Sequence, residues 1–210
     1  MTIIFDLDGT LIDSSERLYE LFQFLVPEST LSKEKYWELK RNGISHKQIL
    51  ERYFPEQQFE KFDSLWRKLI EEKEFLKLDC IYSDTIDILN LLEAKRLVLL
   101  TARQSWTELE RELEYFNIKK FFDKILITEG EKNKKEILKE AIDDGIILKE
   151  KNDYFISDMG TDILVGNELG YKTIAISHGF MTREKLKDYC PNYIIEELSD
   201  VNKIIMEVIS

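Results

Sequence analysis

"IIFDLDGT", residues Ile3–Thr10, runs three apolar positions straight into two aspartates one residue apart, Asp6 and Asp8. The apolar run has the look of a strand buried on both faces, so its end aims two carboxylates out of the interior. Two anions at that spacing repel and lose solvation, and something has to compensate them. The remainder of the chain must supply that compensation.

The bulk composition sets limits. At 210 residues the chain holds one domain, or a main domain with a smaller one attached. A hydrophobic share of 43% suffices for a sizeable core. The net charge of −11 argues against nucleic acid and against anionic membranes as partners. No charged leader or spanning-length apolar run is visible, and the two cysteines, Cys80 and Cys190, form no metal-binding pattern. A reduced, cytoplasmic setting is expected, with both cysteines as small core fillers. Trp37, Trp66 and Trp106 are expected in cores.

Short apolar runs recur at Ile3–Phe5, Leu97–Leu100, Ile125–Ile127, Tyr154–Ile156 and Thr173–Ile176, with Tyr193–Ile195 as a short edge strand. Helical spacing separates most of them, as in Trp106, Leu109, Leu113 and Phe116, or Ile137, Leu138, Ala141 and Ile142. This alternation predicts an α/β fold, a Rossmann-like parallel sheet with helices on both faces. The stretch from Ser14 to about Ser83 breaks the rhythm. It carries helical stripes (Leu18, Leu21, Phe22, Leu25; Phe62, Leu65, Trp66, Leu69) and nothing strand-like. It is far too long for an ordinary crossover. The reading is a small all-helical cap, residues 14–83, inserted after the first strand into a core formed by 1–13 and 84–210.

Four stretches then fall in a telling order. "FDLDGTLIDS" (Phe5–Ser14), "LVLLTAR" (Leu97–Arg103), "KNKKEILKEA" (Lys132–Ala141) and "FISDMGTDILVGNELGYKTIAI" (Phe155–Ile176) resemble the successive signatures of the haloacid dehalogenase superfamily, in its phosphatase-type members. The resemblance implies that Asp6 is the nucleophile, forming an aspartyl-phosphate. It implies Mg²⁺ held by Asp6, Asp158 and the backbone carbonyl of Asp8. Asp8 becomes the general acid and base, and its presence favours phosphoryl transfer over dehalogenation. Thr101 and the Ala102 amide become phosphate ligands, with alanine standing where asparagine is commonest. Arg103 has two open readings, a phosphate contact or a solvated charge at a helix start.

The signature lysine aligns best with Lys134, while Lys132 and Lys135 lie close enough to compete, and a wet helix face beside Glu136 and Glu140 is the plainer alternative. Asp162, one helical turn beyond Asp158, is expected to orient metal waters or bond Lys134. "LKRNGISHKQIL" (Leu39–Leu50) resembles the specificity loop of phosphoglycolate phosphatases and β-phosphoglucomutases, which makes Arg41, His46 and Lys47 candidates for holding the substrate's far end. The implied function is a Mg²⁺-dependent phosphatase of a small phosphorylated metabolite, acting as a monomer or homodimer. A phosphomutase and a catalytically inactive binding protein remain the alternatives.

Overall fold

The computed structural model describes residues 1–207, so positions 208–210 of the expected core lie outside the described residues. In chain order the elements are β1 (Thr2–Phe5), β2 (Ile12–Asp13), α1 (Ser15–Leu25), α2 (Lys33–Arg41), α3 (His46–Tyr53), α4 (Phe59–Leu69), α5 (Lys73–Leu76), β3 (Cys80–Ile81) and α6 (Thr85–Leu91). There follow β4 (Arg96–Thr101), α7 (Trp106–Tyr115), β5 (Lys124–Ile127), α8 (Lys134–Asp143), β6 (Tyr154–Ser157), α9 (Gly160–Glu168), β7 (Lys172–Ile176), α10 (Arg183–Lys187), β8 (Tyr193–Ile195) and α11 (Asp200–Glu207). Six strands form one parallel sheet in the order β5-β4-β1-β6-β7-β8.

The β-branched and aromatic runs make this sheet because both of its faces are covered. Ile3, Phe5, Leu97, Leu99 and Ile156 pack beneath Ile88, Leu109, Leu113 and Val201 of α6, α7 and α11. On the opposite face Ile4, Val98, Leu100 and Phe155 meet Leu138 and Ala141 of α8. With alternate strand residues on opposite faces, every position of β1 is buried. β1 lies between β4 and β6, where the chain's progress across the sheet reverses, so the carboxyl ends of these three strands open on one crevice.

Helices α1 to α5 fall between β2 and β3 and carry an apolar cluster of their own, built on Phe22, Tyr36, Ile49, Leu50 and Phe62. The expectation that nothing strand-like interrupts this region needs correcting. Cys80–Ile81 pairs antiparallel with Ile12–Asp13, a ribbon of two residues a side at the joints of the helical segment. Two residues are too few for a period-two pattern to register.

The tryptophans and cysteines are corrected in part. Trp37 and Trp66 pack against the helical cluster, but Trp106 is 40% exposed, because it is the first residue of α7 and the apolar stripe is carried by Leu109 and Leu113. Cys80 and Cys190 are both exposed free thiols rather than core fillers. One sits in the narrow β2–β3 ribbon and the other in a left-handed turn after α10, with φ of 52°.

Gly166 on α9 shows how closely helix and sheet approach. A Cβ there would run into the Thr173 methyl group on β7 and the Phe155 ring on β6. Gly166→Val should therefore cost about 1–3 kcal/mol through overpacking, beyond any gain in helix propensity. Urea denaturation will show this as a lowered midpoint, and an unchanged midpoint would mean that α9 has room to slide.

Candidate active site

Asp6 directly follows β1, and its amide donates to the Ile156 carbonyl, extending the sheet pairing one residue past the strand. Thr101 ends β4, and Asp158 directly follows β6. Since these strands are neighbours, their ends bring the three residues to one crevice. A cavity of about 640 Å³ opens there, lined by Asp6, Asp8, Thr101, Ala102, Lys134 and Asp162.

The turn after Asp8 depends on Gly9, whose φ of 80° suits glycine and whose missing Cβ leaves space for the Asp158 carboxylate. Asp158 is fully buried and firmly held. Its Oδ1 accepts from Thr10 Oγ1 at 3.1 Å, its Oδ2 accepts from the Phe180 amide at 2.5 Å, and its own amide donates to Thr10 Oγ1 at 3.1 Å.

Lys134 opens α8, just after a capping box in which Asn133 and Glu136 satisfy each other's amides. Its Nζ donates to Asp6 Oδ1 at 2.6 Å and to Asp162 Oδ2 at 2.5 Å. Lys132 turns instead to Glu140, and Lys135 to Glu168, both on the surface. Of the three competing lysines, only Lys134 reaches the aspartates. Ser157 Oγ adds a bond to Asp162 Oδ2 at 2.8 Å and lies 3.4 Å from Asp6 Oδ2.

Electrostatics define what this crevice lacks. Burial pushes the Asp6 carboxyl up to about 7, against the pull of Lys134, and Asp162 pushes it the same way. Burial and Asp6 raise Asp158 well above the ordinary carboxyl range. Burial works against the Lys134 charge, but Asp162 and Asp6 outweigh it and raise its pKa. Asp6 and Asp162 share the Lys134 ammonium and Asp158 lies buried beside them, a surplus of two negative charges when all are ionised. Among the described residues no group of three or more His, Cys, Asp or Glu side chains makes a ready metal cluster. The donor set nevertheless fits a hard divalent cation that takes one or two carboxylates and fills its other positions with water and substrate oxygen.

Asp8 has a different environment. Arg103 grips it in a fork, Nε to Oδ2 at 2.7 Å and Nη2 to Oδ1 at 2.9 Å, while Arg17 Nη2 and Ser14 Oγ also donate to Oδ1. Burial works to raise its pKa, but Arg103 and Arg17 prevail and hold the carboxyl well below the usual range. The same arginines meet Asp79, and Arg103 also meets Glu112 at 2.8 Å. The reading of Arg103 as a solvated charge is overturned: it is 3% exposed and pairs with Asp8, Asp79 and Glu112.

Two guanidiniums cannot neutralise three carboxylates, and burial pushes Asp79 up to about 9. Arg17 and Asp79 had no local sequence signal of a site. The usable hint for Arg17 was a charge four residues before Leu21, on the buried stripe of α1. Thr10 and Ser157, each next to a signature aspartate or within its motif, were closer to recognition.

The proposed cap-loop trio is not brought to this crevice. His46 is buried in the helical cluster, its ring 4.1 Å from Trp66 and its Nε2 2.8 Å from the Tyr36 hydroxyl. Burial lowers its pKa well below the ordinary value, so it is a neutral packing group. Lys47 lies exposed near Glu51. Arg41 donates to the Ser177 carbonyl, and its own carbonyl accepts from the Thr182 amide, which ties α2 to the loop after β7. A basic loop in an acidic chain suggested an anion site, but these contacts occupy its charges otherwise. The residues that approach Asp8 from the helical segment come from α1 and the α4 region, including Arg17, Leu18, Trp66 and Ile70. There Glu71 accepts from the Gln104 and Ser105 amides at 2.7 and 2.8 Å, at the start of α7.

Known proteins share this arrangement of elements. The family model described as haloacid dehalogenase-like hydrolase matches residues 3–176. A pyrophosphatase, PpaX, from Halalkalibacterium halodurans is 25% identical over 97% of this chain and 96% of its own length. A phosphoglycolate phosphatase from Aquifex aeolicus is 26% identical over 97% and 95%. The solved structure of a haloacid dehalogenase-like family hydrolase from Streptococcus pneumoniae superposes with a TM-score of 0.80 at 23% identity, covering 97% of both chains. No helix among the described residues is long and apolar enough to cross a membrane.

The Asp79 proton has a measurable consequence. Its pKa is higher in the fold than in the unfolded chain, so folding takes up a proton between about 3.8 and about 9. The stability it contributes is complete below that window and is lost as pH rises through it. Asp79→Asn removes this dependence. Between about pH 5 and pH 8 the variant should gain on the parent by on the order of 1 kcal/mol per pH unit, read by urea denaturation at each pH. Parallel stability curves would mean that Asp79 is ionised in the fold.

Proposed function

We propose that this chain, which belongs to the haloacid dehalogenase-like hydrolases, is a Mg²⁺-dependent phosphatase of small phosphorylated metabolites that works through an aspartyl-phosphate on Asp6. The observation that carries this reading is the meeting of Asp6, Lys134, Thr101 and the buried Asp158 at three adjacent strand ends. Its relatives named for pyrophosphate and phosphoglycolate hydrolysis add support. Within this reading residues 14–83 act as a cap over a core of 1–13 and 84–207.

The donor set for the cation is Asp6, Asp158 and the Asp8 carbonyl, and the ion would offset their charge together with that of the phosphoryl oxygens. Lys134 holds one oxygen of Asp6, leaving the other to attack phosphorus. Thr101 Oγ1 and the Ala102 amide are the donors for phosphoryl oxygens that gain charge as the ester bond breaks. Asp162 and Ser157 keep Lys134 and Asp6 in register. Asp8, kept ionised by Arg103 and Arg17, is set to take a proton from the water that attacks the aspartyl-phosphate, and it must first gain a proton and loosen from the arginines to protonate the departing oxygen. That second attack releases phosphate and restores Asp6.

Asp6→Asn retains the shape but removes the nucleophilic charge, so phosphatase turnover should fall by roughly 10³-fold or more, and EDTA should abolish activity of the parent. Near-normal hydrolysis of p-nitrophenyl phosphate in either case would overturn the assignment. Asp8→Ala should slow breakdown of the intermediate by about 10²–10⁴-fold. With an aryl phosphate, whose leaving group needs little protonation, stopped-flow measurement should show a burst of phenol followed by a slow steady rate. Uniform slowing without a burst would remove Asp8 from the second step.

A further inference from the structure

The loop between β7 and α10, Ser177–Thr182, touches three separate parts of the molecule. At the catalytic crevice the Phe180 amide donates to Asp158 Oδ2 at 2.5 Å. Gly179 lies so close that a Cβ there would strike the same oxygen and the Gly9 carbonyl. At the joints of the helical segment, His178 Nε2 donates to the Thr10 carbonyl at 3.2 Å, and its ring stacks on Tyr82 with centroids 3.9 Å apart. At the helical segment itself, α2 closes on the loop. Arg41 donates to the Ser177 carbonyl, and the Thr182 amide donates to the Arg41 carbonyl at 3.1 Å. Trp37, one helical turn before Arg41, meets the Phe180 ring edge to face at 5.4 Å.

The loop thus joins a cap helix to a carboxylate of the expected cation site. Ser177 and Met181 are buried, and Met181 Sδ accepts from the Gly160 amide at 3.1 Å, two residues beyond Asp158. A packed interior passes displacement on rather than absorbing it. An aspartate that holds a cation is oriented by its hydrogen-bond partners, and loss of such a partner weakens the metal by roughly 10- to 100-fold. Here that partner is a backbone amide, whose place is set by whatever holds the loop.

We infer that Trp37 and Arg41 are positioning residues for the cation site: by docking α2 on the Ser177–Thr182 loop they hold the Phe180 amide on Asp158, so that cap docking and divalent-cation binding strengthen each other. This rests on the cation reading above. Neither residue touches substrate or metal in this role. Such coupling is reciprocal, and the factor that docking adds to cation affinity is the factor that the cation adds to docking.

Mn²⁺, an oxygen-seeking ion whose free form is counted by paramagnetic resonance, probes the site in the full chain. Trp37→Leu and Arg41→Met should each raise its dissociation constant by about 5- to 10-fold, and Trp37→Phe, which keeps a ring against Phe180, should recover most of the loss. Ile49→Val, a change within the cap's own cluster, should leave the constant unaltered. The reciprocal measurement needs no variant to fold. Amide hydrogen exchange followed by NMR should slow at Thr182 by a similar factor when Mg²⁺ saturates the site. The Ile49 amide, bonded to Ser45 within the cap, should hardly change.

Unchanged Mn²⁺ affinity in both α2 variants, or Thr182 exchange indifferent to Mg²⁺, overturns the inference. An equal loss in Ile49→Val overturns it too, since cap stability rather than the docked loop would then set the affinity. If the unaltered chain binds no Mn²⁺, the cation reading fails and the inference falls with it, whereas binding that the variants leave undisturbed defeats the inference alone.

Discussion

Two carboxylates on a single ammonium, with a third buried beside them where three strands end, set the terms for the rest of this molecule. Asp6 and Asp158 are brought together by hydrogen bonds that leave neither free to move away: sheet pairing at Asp6, and Thr10 with the Phe180 amide at Asp158. Carboxylates in water would relax apart, and here the covered parallel sheet prevents it. Desolvation therefore acts as a demand for positive charge, which Lys134 meets in part. Gly9 and the capped start of α8 serve this arrangement, the first by leaving space for Asp158 and the second by presenting the lysine.

A second group of charges lies beside the first and is solved differently. Around Asp8 the positive charge is fixed and planar, two guanidiniums against three acids, and the excess is relieved by a proton on Asp79. One crevice thus has spare negative charge, and its neighbour has spare donor nitrogens. The helical segment contributes to this through α1 and the α4 region, while its α2 and α3 provide packing and attachment.

What could be read from the sequence follows from how locally each residue is placed. Asp6, Thr101 and Asp158 each have a position relative to a strand end, and a parallel strand buried on both faces has a readable composition. Lys134 was harder, yet Asn133 and Glu136 mark the start of α8 and so which lysine opens it. Arg17, Asp79, Arg103 and Glu112 meet through tertiary packing, across separations for which a single sequence carries no pattern. His46 was misread for a related reason. Its chemistry suggested a ligand, but four aromatic rings around it make it part of an apolar core. The β2–β3 ribbon was missed because two residues a side leave no periodicity.

The closed set of charges formed by Asp8, Arg17, Asp79, Arg103 and Glu112 also constrains how this sequence can drift. Losing either guanidinium, or Asp8 or Glu112, strands a charge in the interior, at a cost of about 3–5 kcal/mol, comparable to the whole margin of a small domain. Single replacements at these four positions are therefore poor starting points for divergence, whereas paired ones that remove a guanidinium together with a carboxylate are open, as is replacement of the protonated Asp79 by a neutral group. Arg17 and Asp79 stand at opposite ends of the helical segment, 62 residues apart in the chain. Exchanging that segment for another would have to carry both across together.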